Sequence, residues 1–362
     1  LHKNIIGKGY KVKIIDPVKD TRWDTFVSGH KYSTVYHHSV WKELLQKTFN
    51  HMTALYFILE DNENKIVGGV PIFFVKSWLT GNRFVSLPFA STCIPLCSNL
   101  NDFEILVRAI SEKLKAYNCS YFEMRMRNDS QFLNSSMFKR ICNSKSHVLP
   151  LDKDLDTLRK SFHKTSILQR INRALRDGLV ARLAVSENDM KSFYKLLTLQ
   201  RVKKFGLLPH PYRLFRNMWE LLYQRNMLDL YIIEYHGKMI AGMLVLKYHD
   251  TAISEHAAAD TQYLKHGTYQ LLWWKAIESS NQQGFRFFDM GKSGIDDIGL
   301  IEFKRRWKPK EYEVYHLYLP EARGVYSESH TSMKRELLSF VLRHSPLPLT
   351  TLAGSFVYKH MG

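Results

Sequence analysis

The residues best suited to chemistry fall in one stretch, Gly284 to Trp307, which reads GFRFFDMGKSGIDDIGLIEFKRRW. Asp289 sits in an aromatic run, Phe285 to Met290, short enough for a buried strand. Gly291 and Gly294 follow, permitting backbone angles that a side chain would resist and letting another backbone or a ligand come close. Asp296 and Asp297 then lead into Leu300 to Trp307, where Lys304, Arg305 and Arg306 are consecutive cations. Strand, glycine-punctuated loop and cationic helix in succession make a binding loop. The plainer reading is a strand, a turn and a solvated basic helix.

A second concentration of charge lies at Arg159 to Arg176, RKSFHKTSILQRINRALR, with no acidic residue in it. On a helix, Arg170, Arg173 and Arg176 fall at successive i, i+3 positions and present an adjacent guanidinium row. Such a row tracks phosphates; the alternative is a solvated helix linking two domains.

The elements that must position these groups follow from composition and pattern. At 362 residues the chain is long enough for about two domains, and 45% apolar with 13% aromatic residues supplies two substantial cores. The formal charge of +18 favours polyanions, whether nucleic acid, phosphorylated substrates or an acidic membrane face. Cys93, Cys97, Cys119 and Cys142 show no CxxC pair and no histidine at metal-ligand spacing, so they read as reduced core thiols in a cytosolic setting with no metal site. No apolar run reaches the length of a spanning helix, and LHKNIIGKGYKV lacks the apolar core of a signal peptide.

Along the chain, Lys11 to Ile15 reads as a strand, Thr21 to Ser28 as a short helix, and Ser39 as the N-cap of a helix to about Phe49. Leu55 to Glu60 and Ile66 to Val75 form a hairpin around Asp61 to Asn64. Asp102 opens a helix with Phe103, Leu106, Val107, Ile110 and Leu114 on one face, and Tyr121 to Met126 returns as a strand. The second half repeats that order. Helices at about Glu187 to Lys204 and Tyr212 to Gln224 precede Leu230 to Ile233, which echoes Leu55 to Ile58. Met239-Ile240-Ala241-Gly242 echoes Ile66-Val67-Gly68-Gly69, and Thr251 to Ala257 adds a strand. A helix burying Tyr269, Leu272, Trp273, Ala276, Ile277 and Ser280 leads into Phe287 to Met290, the counterpart of Tyr121 to Met124. These patterns predict domains at 1–150 and 151–325, the second opening with the basic helix. The tail, 326–362, carries an amphipathic helix from Ser327 to about His344, broken at Ser345 to Pro348; it is expected to pack on or near the second domain, the alternative being docking on a membrane surface.

The FDMG strand end followed by GLIEFKRRW resembles the signature of FemAB-like proteins, a family of double acyltransferase-fold proteins related to the GNAT superfamily. Asp289, Gly291, Gly299, Leu300, Phe303, Lys304 and Trp307 carry the resemblance, supported by Ile240-Ala241-Gly242, Tyr36 to Trp41, and Gly354 to Gly362 with Tyr358-Lys359-His360. It implies an α/β (α+β) fold of two tandem GNAT-like domains, each a mixed, mostly antiparallel sheet flanked by helices. It also implies transfer of an acyl group, in the best-known members an aminoacyl group from charged tRNA, to an amine of a peptidoglycan precursor.

Under that resemblance no bound cofactor is expected, and charged tRNA is a co-substrate. Direct attack by the amine needs alignment and a stabilised oxyanion, with no covalent nucleophile. Lys304 is then the group to neutralise the oxyanion or the donor's terminal phosphate, with Arg305, Arg306 and the Arg170 row as phosphate ligands and Gly291 and Gly294 as the donor-side loop. Asp289 orients the amine or takes its proton, or else caps backbone amides. Glu255 and His256 are further base candidates, or core-satisfying groups. His37, His38 and Trp41 are expected to line an acceptor groove in the first domain. The rival within the superfamily is an acyl-CoA N-acyltransferase, but Gln262 to Thr268 (QYLKHGT) does not supply the usual glycine-rich pyrophosphate turn. From another class comes a non-catalytic basic protein that binds RNA or a membrane face. The expected setting is cytoplasmic, with peripheral contact to the inner membrane face.

Overall fold

The computed structural model describes residues 9–320 and 333–361. Residues 1–8, 321–332 and 362 lie outside it, and with them the expected helix start at Ser327. The chain forms two units. The first holds the described residues up to Ser144, those from Tyr312 to Pro320, and those from Val357 on; the second holds Lys145 to Glu311 and Met333 to Phe356.

The first unit runs β1 (Lys11–Ile15), α1 (Arg22–Gly29), α2 (Ser39–Thr48), β2 (Met52–Glu60), β3 (Ile66–Val75), β4 (Arg83–Val85), α3 (Leu100–Ala116) and β5 (Phe122–Arg127). Its strands pair in that order, antiparallel except for the parallel β4 and β5. After β6 (Lys139–Pro150), the second unit runs α4 (Leu155–Ser161), α5 (Gln169–Arg176), β7 (Val180–Leu183), α6 (Glu187–Leu199), α7 (Tyr212–Met218), β8 (Leu228–Tyr235), β9 (Lys238–Tyr248), β10 (Thr251–Ala259), α8 (Thr268–Gln282), β11 (Phe287–Gly294) and α9 (Ile298–Arg305). Its strands pair β7, β8, β9, β10, β11 in turn, with only β10 and β11 parallel. The last strand, β12 (Lys310–Leu319), pairs antiparallel with β5. Two helices, α10 (Met333–His344) and α11 (Leu347–Val357), follow. This is the mixed, mostly antiparallel, helix-flanked sheet read twice.

The repeat is held by equivalent packing. In β3, a Cβ on Gly69 would meet the Trp23 ring of α1 at 2.5 Å; in β9, a Cβ on Gly242 would meet the Phe193 ring of α6 at 2.6 Å. The echo between the two glycine-bearing segments therefore marks the place where an aromatic side chain from the preceding helix lies directly on the strand. The crossover helices behave as their spacing predicts. Phe103, Leu106, Val107, Ile110 and Leu114 of α3 are buried in the first core, and Leu272, Trp273, Ala276 and Ile277 of α8 in the second. Burying one such side chain fully contributes about 1.5–3 kcal/mol.

Several local expectations differ. The strand expected to end at Met290 continues to Gly294, so both glycines belong to β11 rather than to a loop. The basic stretch is not one helix: Phe162 drops into the core against Trp274 and Trp307, and His163 starts a π turn, Lys164–Leu168, that leads into α5. The cap of α2 is His38, whose Nδ1 accepts from Val40 N, while Ser39 is the first helical residue and donates its hydroxyl to Asp24. Residues Val357 onward group with the first unit, where His360 O accepts from Thr80 Oγ1 and Arg83 Nη2 at 3.0 and 3.1 Å.

Candidate active site

The parallel ladder of β10 and β11 is short, pairing Thr251 with Phe287, Ala252 with Phe288 and Ile253 with Asp289. Beyond it β10 bulges at Ser254 to His256 and stays on β9 as far as Ala259, while β11 runs on alone on this side to Gly294. At the divergence Gly291 takes φ +71°, and a Cβ there would lie 3.3 Å from Ser254 O. That conformation swings successive carbonyls toward one side-chain terminus. Lys304 Nζ donates to Gly291 O at 2.8 Å and to Lys292 O at 3.3 Å.

Lys304 reaches this point because α9 is pinned from its other face. Phe303 and Trp307, one turn apart, pack on the aromatic cluster, with ring centroids from Trp273 to Phe303 at 5.9 Å and from Phe162 to Trp307 at 5.1 Å. Asp297 caps the helix, accepting from Leu300 N at 3.1 Å. Only 3% of Lys304 is exposed. Burial lowers its pKa to about 8, against the opposing pull of Asp289 and Asp297. Asp289 is itself buried and accepts from Gly291 N at 2.8 Å, which fixes the turn of the strand. Of the ammonium's three donors, two are thus placed on carbonyls. Close by, Ser293 Oγ is buried and has no hydrogen-bond partner among the described residues.

Sequence reasoning missed His147, fully buried on β6. Burial first, and then the Lys304 charge, push its pKa down to about 4; its Nε2 is 3.4 Å from Glu311 Oε2. Nothing in the local pattern SKSHVLP marks it, since only tertiary folding brings β6 beside β11.

Among its described residues the first unit shows no such opening. After Val85 pairs with Glu123, the chain's own segment continues beside β5: Ser86 N donates to Glu123 O at 2.8 Å and Cys93 N to Arg125 O at 2.7 Å. Arg125 Nη1 then donates to Ala90 O at 2.9 Å. The corresponding strand edge is closed by backbone.

Residues 161–305 match the family of acetyltransferase (GNAT) domains. The match covers most of the second unit. The chain as a whole is similar in fold to FemX, with a TM-score of 0.69 at 14% identity over 85% of this chain and 97% of that one. It is also similar to L-PGS from Bacillus licheniformis (TM-score 0.56, 12% identity, 92% and 99% covered). A tandem GNAT protein from the clavulanic acid biosynthesis pathway gives a TM-score of 0.54 at 11% identity, with 85% and 98% covered. At these identities the likeness is one of fold. A comparison with curated proteins gives no match.

Within the second unit the other expected residues have separate positions. Arg170, Arg173 and Arg176 are exposed on α5, with Arg173 Nε 3.6 Å from Asp177. His266 Nδ1 lies 2.6 Å from the same Asp177, tying α5 to the turn Thr261–His266. Gly267, at φ +83°, ends that turn, and a Cβ there would meet Arg170 O at 2.2 Å. This glycine serves close packing of α5 on the start of α8. Arg306 is exposed, but the Arg305 guanidinium is engaged by Glu302 at 2.6 Å and Glu311 at 2.9 Å, which corrects its reading as a phosphate ligand. Gly294 is exposed at the end of β11 with an ordinary backbone, and its carbonyl accepts from Asp297 N at 3.0 Å in the turn that leads into α9. Glu255 and His256 lie in the β10 bulge, where desolvation lowers the His256 pKa to about 3 and its ring sits 4.9 Å from that of His210. An imidazole so shifted is a weak base near neutral pH.

The acceptor-groove expectation in the first unit is corrected. His37 is buried, Nδ1 accepting from Thr34 N at 3.1 Å and Nε2 donating to Ile94 O at 3.0 Å, with its pKa lowered to about 4 by burial. Trp41 is fully buried beside Tyr36 and donates to Pro88 O. Both hold the loop and helix together; aromatic and imidazole groups found their partners in the core. His38 stays partly exposed as the α2 cap, its Nε2 3.7 Å from Asp24.

Proposed function

We propose that the chain is an N-acyltransferase that moves an activated acyl group, an aminoacyl group carried on tRNA, to an amine of an envelope precursor by direct attack. The observation that carries this reading is the buried Lys304 ammonium, held at the point where β10 and β11 part. A cation in a desolvated site stabilises a developing oxyanion far more than one in water, and removing such a donor typically costs about 10²–10³ in rate. At a pKa of about 8 the group is mainly protonated near neutral pH. The incoming amine must be neutral, and Lys304 supplies positive charge without competing for the acyl carbon as a nucleophile.

What favours tRNA over acyl-CoA as donor is the turn before α8. In acyl-CoA enzymes that turn leaves room for a pyrophosphate at a helix N-terminus. Here Gly267 is occupied by the backbone of α5, and the exposed Arg170, Arg173 and Arg176 lie on that same helix. Likeness to FemX supports the same direction.

Incubating the pure protein with mixed charged tRNAs and acyl-CoAs, together with candidate amine acceptors, tests the reading. Release of deacylated tRNA dependent on acceptor is expected. Release of free thiol alone would transfer the assignment to acyl-CoA chemistry, and nucleic-acid binding unchanged by Lys304→Ala, with no turnover of either donor, would leave only a binding protein.

A further inference from the structure

Helices α10 and α11 turn their apolar residues outward. On α10, Ser339 packs on Gly206 and Leu342 is buried, whereas Leu337, Phe340 and Val341, at i, i+3 and i+4, are 63%, 60% and 50% exposed. On α11, Thr350 and Gly354 face inward, the latter against Pro209, and Leu349 and Leu352 are 61% and 69% exposed. Phe205 extends the surface, its carbonyl accepting from Ser339 Oγ. A soluble helix buries such residues, and large apolar side chains left exposed at this spacing mark a contact site.

The surroundings are cationic. Arg343, His344 and Lys204 are exposed beside the stripe, and Lys203 Nζ donates to the carbonyls of Arg343 and Ser345 at 2.9 Å each. Among the residues from Met333 to Met361 the only acid is Glu336. Two copies meeting here would oppose these cations on chains of formal charge +18. An anionic lipid surface complements both parts at once. With 12 and 11 residues the helices are too short to cross a bilayer, which takes about 20, so they would lie in its surface.

We propose that the outer face of α10 and α11 docks onto an anionic lipid surface, with Leu337, Phe340, Val341, Leu349 and Leu352 entering the headgroup boundary and the flanking cations meeting lipid phosphates. Flotation of the full chain with phosphatidylcholine vesicles, with and without about 30 mol% phosphatidylglycerol, tests it. Binding is expected only with the anionic lipid, falling at least about tenfold in Phe340→Asp/Leu352→Asp and more weakly in Arg343→Glu. Both sites are exposed, so circular dichroism should report an unchanged fold. Failure of the wild type to float, equal binding by the double variant, or a concentration-dependent dimer that the double variant abolishes would each overturn the proposal.

Discussion

Lys304 donates from Nζ to the carbonyl of Gly291 across 2.8 Å, and Gly291 is the residue at which β11 turns to φ +71°. The lysine and the glycine define one device: the glycine presents its carbonyl, and the lysine keeps its charge in a place that water scarcely reaches. Replacing Lys304 with Met should lower the rate of acyl transfer by about 10²–10³. Stability should change by less than about 2 kcal/mol, because two carbonyls lose a donor while a desolvated ammonium is removed. Steady-state kinetics with thermal melting checks both; a melt that collapses along with the activity would make the residue structural.

The depressed pKa of Lys304 sets a pH limb. If its protonated form carries the rate, kcat/KM should fall as pH rises through about 8. Lys304→Arg, permanently charged, should lose that limb even if it is slower overall. A profile of the wild type with no descending limb near this pH would remove the charge from the mechanism.

The buried histidines give the fold an acid edge. His37 and His147 have pKa values near 4 and His256 near 3, each lowered by burial. Unfolding restores values near 6.5, so the unfolded chain binds more protons below that pH. Stability present above about pH 6.5 should therefore be lost as pH falls toward 4. Denaturant melts across this range check the slope, and His37→Ala, which leaves Ile94 O without its donor, should cost about 1–3 kcal/mol.

Charge reversal at Arg170, Arg173 and Arg176 should weaken tRNA binding by at least about tenfold and flatten its salt dependence. Arg305→Ala should leave binding nearly unchanged, since Glu302 and Glu311 already hold that guanidinium. Filter binding at two ionic strengths separates them.

Gly267→Ala places a Cβ 2.2 Å from Arg170 O at a φ of +83°. A loss of about 2 kcal/mol or more is expected, read by denaturant unfolding. A stable variant would mean that α5 can move away from α8.

Much of this protein was determined by short-range pattern. Apolar spacing marked α3 and α8, and the echo of Gly69 in Gly242 marked equivalent points of two units, because a strand crossed by an aromatic ring accepts only glycine. Asp289, Gly291 and Lys304 were legible as a group because they belong to consecutive elements. Tertiary structure decided what those side chains face. A sequence gives Lys304 as one cation among three, and only the pinning of Phe303 and Trp307 sends it inward while Arg305 meets Glu302 and Glu311 outside. His37 and Trp41 carried functional residue types yet lie in a core, and His147 carried no local signal yet lies beside Lys304. Burial, and the charges it brings together, depend on contacts between residues far apart in the chain, which no local spacing encodes.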